Sequence, residues 1–382
     1  MEMPQLRGTV RALQGTPLTE GLEPKRRAGF HKLTVESIEA VANDAVAVTF
    51  TVPPGLEERF QYSAGQHLTV RAKQLGDDVR RTYSICSPPS AHRLRVGVRR
   101  LPGGLMSEFI HSQLRVGEEL EVMEPAGNFT LALDPGAERS YVAIAAGSGI
   151  TPILALVAET LGTEPRSQFT LLYGNRTVES TMFLDELADL KDRYPDRLQL
   201  IHLFSRQRQS QEINNGRLDR EKLTRLVDVF VTPGDVHAWL LCGPFEMVRA
   251  ARRLVGERGV TESLVKTELF FVEDEPPLRT SAEAEALSRS GLVEVRATLD
   301  GRETLFTMTR EQKIVDALGL VRPDAPFSCK GGVCATCRAR LIEGQVVMDH
   351  TYALEESERE QGWVLTCQAH PISDTVVVDY DG

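Results

Sequence analysis

Between residues 45 and 98, apolar and polar positions alternate in short runs. Ala45-Val46-Ala47-Val48-Thr49-Phe50, His67-Leu68-Thr69-Val70-Arg71 and Arg93-Leu94-Arg95-Val96-Gly97-Val98 each follow a period of two, with turn residues between them. Such runs predict strands, and many short strands predict an antiparallel barrel or sandwich. After Asp134-Pro135-Gly136 the texture changes. Continuous apolar runs at Tyr141–Ala146, Phe169–Tyr173, Leu198–Phe204 and Ala238–Cys242 are interleaved with helical stretches near Pro152–Leu161 and Thr181–Lys191. Strands alternating with helices predict a parallel sheet. From about Leu292 alternation returns in Val293-Glu294-Val295-Arg296-Ala297, and Thr375–Tyr380 is the closing strand candidate.

Two segments stand outside these textures. Residues 1–28 show no period and read as a flexible lead-in. Residues 273–291, with Pro276-Pro277, charge and small side chains, read as an inter-domain linker. The expected architecture is an antiparallel barrel at 29–136, an α/β parallel-sheet domain at 137–272 and a smaller α+β domain at 292–382.

Composition narrows the class. A chain of 382 residues has room for two or three domains, and 26% charged residues with 41% apolar ones exclude wholesale disorder. The formal net charge of −10 argues against non-specific nucleic-acid binding. The first residues contain no apolar signal core. The longest uncharged stretch, Tyr141–Ala158, is broken by Gly147, Ser148, Gly149 and Pro152, so a strand, loop and helix explain it better than a membrane span. The chain reads as soluble and cytoplasmic. Its eight histidines show no metal-ligand spacing, and no Ser/His/Asp or Cys/His hydrolase arrangement is visible. The acidic run Glu355-Glu356-Ser357-Glu358, with Glu360, reads as a solvated helical face; a docking surface for a partner is the alternative.

Four cysteines change the picture most. Cys329, Cys334 and Cys337 follow C-x4-C-x2-C, and after 29 further residues comes Cys367. This is the plant-type ligand spacing of a [2Fe–2S] cluster. Three thiolates from one tight loop require a sharp turn, which Gly331 and Gly332 allow by admitting φ > 0. A zinc site would show paired short knuckles, and only one short pair is present. A disulfide framework would need an oxidising compartment.

Other motifs arrive in a telling order. Arg81-Thr82-Tyr83-Ser84 precedes Gly103-Gly104-Leu105-Met106-Ser107 in the barrel block. In the α/β block, Gly147-Ser148-Gly149-Ile150-Thr151-Pro152 joins a strand to a helix, where glycines let a pyrophosphate approach the helix N-terminus. Then follow Tyr173-Gly174-Asn175-Arg176-Thr177, Ser205-Arg206, Cys242-Gly243-Pro244 and Glu268-Leu269-Phe270. Together they resemble the ferredoxin-NADP reductase superfamily, and with the cysteine loop its iron–sulfur flavoprotein reductases. The resemblance spans roughly residues 30–382.

The resemblance implies the following roles. Arg81 would meet the FAD pyrophosphate, Tyr83 would stack on the isoalloxazine, and Ser84 would hydrogen-bond near the reactive N5. Gly104, Leu105, Met106 and Ser107 would form the helix start that holds phosphate. Gly147, Gly149, Thr151 and Pro152 would carry the nicotinamide nucleotide. Cys242 and Gly243 would lie beside the nicotinamide, with Glu268 and Phe270 near the flavin; Ser84, Cys242 and Glu268 are thus the candidate catalytic residues. Ser205 and Arg206 suit a 2′-phosphate, where a carboxylate would favour NADH; NADPH is the expected donor and NADH the alternative. The third domain would be a β-grasp ferredoxin. Gly65-Gln66-His67 and Pro125–Phe129 fit the flavin domain but receive no role.

Such an enzyme takes a hydride from NAD(P)H onto FAD and passes single electrons through the cluster to an oxygenase partner. Tyr173–Leu190 and Val364–Ala369 look especially like the reductase subunits of phenylacetyl-CoA epoxidases, which implies a multi-subunit diiron oxygenase in aromatic degradation as partner. Rivals are an NADH-dependent reductase of a Rieske or steroid hydroxylase, and a ferredoxin-type carrier without flavin catalysis. No globin-sized block precedes residue 30, which sets the chain apart from nitric-oxide-detoxifying flavohaemoproteins.

Overall fold

The computed structural model describes residues 9–11, 29–76, 79–270, 280–354 and 356–382. The chain divides into two compact units: Gly29–Phe270, and Phe271–Gly382 together with Met1–Ala28.

In the first unit six antiparallel strands lie in the order Arg80–Ser84, His67–Arg71, Glu119–Met123, Phe30–Ala42, Ala45–Thr51, Leu94–Arg99. The ends of this sheet meet: Ile85 bridges Val96, and the Cys86 N–H donates to the Arg95 carbonyl at 2.9 Å. Closure into a barrel leaves few strand edges open. The alternation in Ala45–Thr51 does not translate into one wet face, because the strand is buried almost throughout. Val48 and Phe50 enter the barrel core, whereas Ala45 and Ala47 join a second core with Ile150 and Ile153. Small alanines there let the barrel and the α/β half approach closely.

The α/β half holds a parallel sheet in the order Leu198–Phe204, Gln168–Asn175, Ser140–Ala146, Val236–Cys242, Val265–Glu268. Helices Ile150–Thr163, Leu184–Arg193, Arg220–Phe230 and Phe245–Glu257 cover it. The first strand sits between the second and the fourth, so the order reverses at the C-terminal ends of Ser140–Ala146 and Val236–Cys242. Open α/β sheets bind ligands at such a point. The second helix starts at Leu184 rather than near Thr181. The residues before it are drawn to the barrel: the Phe183 N–H donates to the Val41 carbonyl at 3.1 Å, and its ring packs against Gly97.

The second unit carries a mixed sheet in the order Arg302–Thr309, Leu292–Leu299, Thr375–Asp379, Arg338–Glu343, Trp363–Leu365. Leu292–Leu299 is antiparallel to Arg302–Thr309 and parallel to Thr375–Asp379. The hairpin turns on Asp300 and Gly301, both with φ > 0 (54° and 68°), the type I′ geometry that Asp-Gly favours. Helix Ile314–Val321 packs its apolar side into the same core. This is the expected grasp of a helix by a mixed sheet.

Two expectations change. Within the lead-in, Thr9–Arg11 form a strand on Gln345–Met348, which pairs in turn with Ala369–Pro371; three residues are too few to show a period, and the rest of 1–28 lies outside the described residues. Within the linker, Ser281–Leu287 is a helix. A capping box starts it: the Thr280 N–H donates to Glu283 Oε2 at 2.8 Å and the Glu283 N–H to Thr280 Oγ1 at 3.2 Å. Residues 271–279 lie outside the described residues. Among the described residues no helix is long and apolar enough to cross a membrane.

Candidate active site and cluster loop

Register builds the first site. In the barrel, His67 and Ser84 are cross-strand partners. In the parallel sheet, Cys242 at a strand end is flanked by Ala145 on one side and Glu268 on the other. The two pairs meet across the seam of the first unit. Ser84 Oγ donates to Glu268 Oε2 at 2.9 Å, and His67 Nδ1 lies 3.7 Å from Glu268 Oε1. Cys242 is fully buried; burial, and then the charge of Glu268, push its thiol pKa well up. The three candidate catalytic residues are therefore brought together from positions 84, 242 and 268. His67, which sequence reasoning left without a role, is the fourth member. Its only signal was its place opposite Ser84, which needs the pairing.

Around them lie the expected binding residues. Tyr83 is half-buried against the barrel core, and burial raises its phenol pKa. Arg81 is exposed, with Nη1 donating to the Arg80 carbonyl at 2.7 Å and the rest of its fork on an exposed side chain. Gly104 caps helix Leu105–Ser112. Met106 belongs to the barrel core, and the Ser107 hydroxyl is committed to the loop, accepting from the Leu101 N–H at 3.1 Å and donating to the Gly104 carbonyl. Phe270, 39% exposed, stands just past the end of strand Val265–Glu268.

The two loops of the parallel sheet touch. Gly147 has φ +56, a conformation glycine accepts without penalty. Gly149 has ordinary helical angles, but a Cβ there would lie 2.2 Å from the Cys242 carbonyl oxygen. Helix Ile150–Thr163 starts at once, with Thr151 Oγ1 donating to the Ser148 carbonyl and Pro152 in the first turn. Gly243 is less tightly placed, its Cβ position lying 3.1 Å from the Ala146 nitrogen. Arg99, which sequence reasoning missed, reaches this loop: Nη1 is 3.6 Å from where a Gly147 Cβ would stand, and Nη2 donates to the Ser180 carbonyl. At the same strand end the buried Asn175 carboxamide, next to the Tyr173 hydroxyl, has no well-formed hydrogen bond among the described residues. Orphaned buried amides call for a polar partner, and with the glycine cradle and Arg99 this end fits a nucleotide. Farther out, Ser205 Oγ donates to the Asn175 carbonyl, and the Arg206 N–H donates to the Arg176 carbonyl, so two exposed arginines flank one turn. Ser205-Arg206-Gln207-Arg208 contains no carboxylate.

In the second unit the four cysteines come as two contacting pairs, Cys329 with Cys334 and Cys337 with Cys367. Strand pairing delivers the distant one: Arg338 opposes Leu365, and Thr366 Oγ1 donates to the Cys337 carbonyl at 2.8 Å. Tyr380 in turn donates to Thr366. The loop turns through φ > 0 at Lys330, Gly332 and Ala335, so Gly332 takes the expected conformation and Gly331 does not need it. A hydrogen bond from Cys334 lowers Cys329 to about 5 against the opposing effect of burial, helped by the N–H groups of Val333 and Gly331. Cys367 is likewise lowered by Cys337 and Gln368, with burial opposing. Among the described residues no three His, Cys, Asp or Glu side chains converge on a single-ion site. Three cysteines on one tight loop and the fourth delivered by a separate segment, with no three of them converged on one point, fit two bridged irons better than one tetrahedral zinc. The acidic run forms helix Glu356–Glu360, but Glu358 is only 18% exposed and pairs with Arg338, so that member of the run is structural.

Comparison with known proteins agrees with this geometry. Three family patterns match: an oxidoreductase FAD-binding domain at residues 32–131, an oxidoreductase NAD-binding domain at 143–253 and a 2Fe-2S iron-sulfur cluster binding domain at 297–371. The chain is 42% identical to a subunit of the 1,2-phenylacetyl-CoA epoxidase of Escherichia coli K12 over 355 residues, covering 92% of this chain and 98% of that protein. It is 32% identical to the ferredoxin reductase component of 3-ketosteroid-9-alpha-monooxygenase from Mycobacterium tuberculosis H37Rv, covering 92% and 97%. The structure of phthalate dioxygenase reductase, described as modular for electron transfer from pyridine nucleotides to [2Fe-2S], superposes with a TM-score of 0.56 at 26% identity, covering 92% and 98%.

Proposed function

Because this chain belongs to the iron–sulfur flavoprotein reductases of the ferredoxin-NADP reductase superfamily, we propose that it draws electrons from NADPH and delivers them singly to a diiron oxygenase of the phenylacetyl-CoA epoxidase kind. The observation that carries the reading is the meeting of Ser84, Cys242 and Glu268 at one seam. When bound, FAD exchanges electron pairs with the nicotinamide and the [2Fe–2S] cluster exchanges single electrons, which together supply the conversion.

The chain's own residues bind, orient and exclude water. Arg81 and the N–H groups at the start of helix Leu105–Ser112 suit a pyrophosphate. The Gly147–Gly149 loop and Arg99 suit the second nucleotide. Cys242, small and fully buried, leaves room for a flat ring and keeps water from its inner side. The Ser84 hydroxyl, anchored on Glu268, can hold or pass a proton at its Oγ. Cys329, Cys334, Cys337 and Cys367 are the proposed iron ligands. We take the flavin part as 29–136, the nicotinamide part as 137–272 and the ferredoxin part as 292–382, in a cytoplasmic protein.

Arg206 and Arg176, with no carboxylate in the turn, support NADPH over NADH. A second reading, an NADH-dependent reductase of a steroid or Rieske hydroxylase, draws on the 32% identity to the steroid monooxygenase reductase. An anaerobic titration with NADPH and, in parallel, NADH, followed by absorbance and electron paramagnetic resonance, tests the relay. Flavin bleaching and a reduced-cluster signal at much lower NADPH are expected; preference for NADH would favour the second reading. Reconstitution with the two oxygenases decides the partner.

A further inference from the structure

His67 is buried, 5% exposed, beside groups that have been given work, yet the resemblance assigns it none. Its backbone is pinned by two hydrogen bonds with Ala126, at 2.9 and 3.0 Å. On one side the imidazole is stopped by Gly127, where a Cβ would stand 2.9 Å from Nδ1. On the other, Nδ1 faces Glu268 Oε1 at 3.7 Å. Nε2 is buried and has no hydrogen-bond partner among the described residues. The two oxygens of Glu268 are thus divided: Oε2 accepts from Ser84 and Oε1 faces His67.

A carboxylate held only by a serine hydroxyl keeps a broad terminal torsion. A contact on the other oxygen at 3.7 Å, longer than a hydrogen bond but within electrostatic reach, narrows that freedom, and an imidazole with its proton on Nδ1 turns an N–H toward it. We propose that His67 is a positioning residue: it fixes the Glu268 carboxylate and, through it, the direction of the Ser84 hydroxyl. The inference rests on the assignment of Ser84 and Glu268 to the flavin site. Cys242, the register partner of Glu268 on the adjacent strand, is another titratable neighbour of that carboxylate.

The test uses the flavin- and cluster-loaded protein with His67→Leu, His67→Asn, His67→Gln, Ser84→Ala and the His67→Leu/Ser84→Ala double variant. Asparagine can place an amide N–H where Nδ1 stands; glutamine places one nearer Nε2. Flavin midpoint potential and the rate of flavin reduction at saturating NADPH are read together. His67→Leu is expected to slow the saturating rate roughly tenfold, leave the NADPH concentration for half-maximal rate unchanged, and shift the potential. His67→Asn is expected to restore both, and His67→Leu is expected to add nothing on top of Ser84→Ala. Losses that multiply in the double variant, or a His67→Leu protein like wild type, overturn the proposal. If His67→Leu cannot retain flavin, the other pair decides: asparagine better than glutamine supports it, and the reverse order overturns it. If Ser84→Ala itself changes neither rate nor potential, the flavin-site reading fails instead.

Discussion

Gly149→Ala probes whether the contact between the two nucleotide loops sets the active site. Gly149 has φ −60 and ψ −8, angles any residue adopts, so the substitution creates no backbone strain. The obstacle is steric. The new Cβ would stand 2.2 Å from the Cys242 carbonyl oxygen and 2.9 Å from the Gly243 nitrogen, where ordinary contact starts at 3.4 Å. One loop must retreat by about 1.2 Å, and both neighbours are backbone, so no flexible side chain can absorb the change. Overpacking of this kind costs about 1–3 kcal/mol of stability. The displaced strand end carries Cys242 and, through its register, Glu268. A shift near 1 Å in a reacting geometry can cost about 10²-fold in rate. Stopped-flow flavin reduction by NADPH and thermal unfolding of the same sample measure the two effects. Gly147→Ala is the control, because its Cβ would meet only Arg99 at 3.6 Å while φ +56 makes it pay in backbone strain. Its expected signature is lost stability with a smaller loss of rate. A Gly149→Ala protein that reduces flavin at the wild-type rate would refute the view that this contact holds Cys242 in place.

Glu164 is fully buried and accepts from Tyr141, Ser167, Arg139 and the Asp134 N–H. Burial pushes its pKa up, but those donors more than offset it and leave it below the ordinary 4.5. Its stabilising contribution is therefore present above pH 4.5 and lost as pH falls through the lower folded value; Glu164→Gln should cost about 3 kcal/mol at pH 7 and flatten the acid limb of a denaturation series. An unchanged acid limb would count against this. Cys367→Ala should abolish the reduced-cluster resonance while NADPH still bleaches the flavin; an intact resonance would remove Cys367 from the ligand set. Val10→Pro removes the donor of the residue paired with Val346 on the side of Gln345–Met348 that faces Thr9–Arg11, so amide exchange at Val346 should quicken about tenfold while Val347, which faces Ala369–Pro371, serves as the internal control; unchanged exchange at Val346 would mean the added strand contributes no protection.

What the chain spells out locally, its sequence determined alone. Cys329, Cys334 and Cys337 lie within nine residues, so their spacing reports the ligand loop directly, and the glycines at 147 and 149 sit in a turn whose purpose local geometry explains. The three textures likewise follow from the side-chain periods of strand and helix, which need no long-range information. The Thr280–Glu283 capping box was also written in adjacent residues; it was obscured by the prolines and charges upstream. Other features were decided only by tertiary structure, because they depend on which strand lies beside which. Cys367 reaches Cys337 only once Arg338 and Leu365 are in register. Ala45 and Ala47 serve a second core only because the α/β half covers that face of the barrel. His67, Ser84, Cys242 and Glu268 span two hundred residues, and no local pattern marks His67 as the neighbour of a carboxylate at position 268. Pairing within the barrel and within the parallel sheet sets each couple, and packing of the two halves joins them.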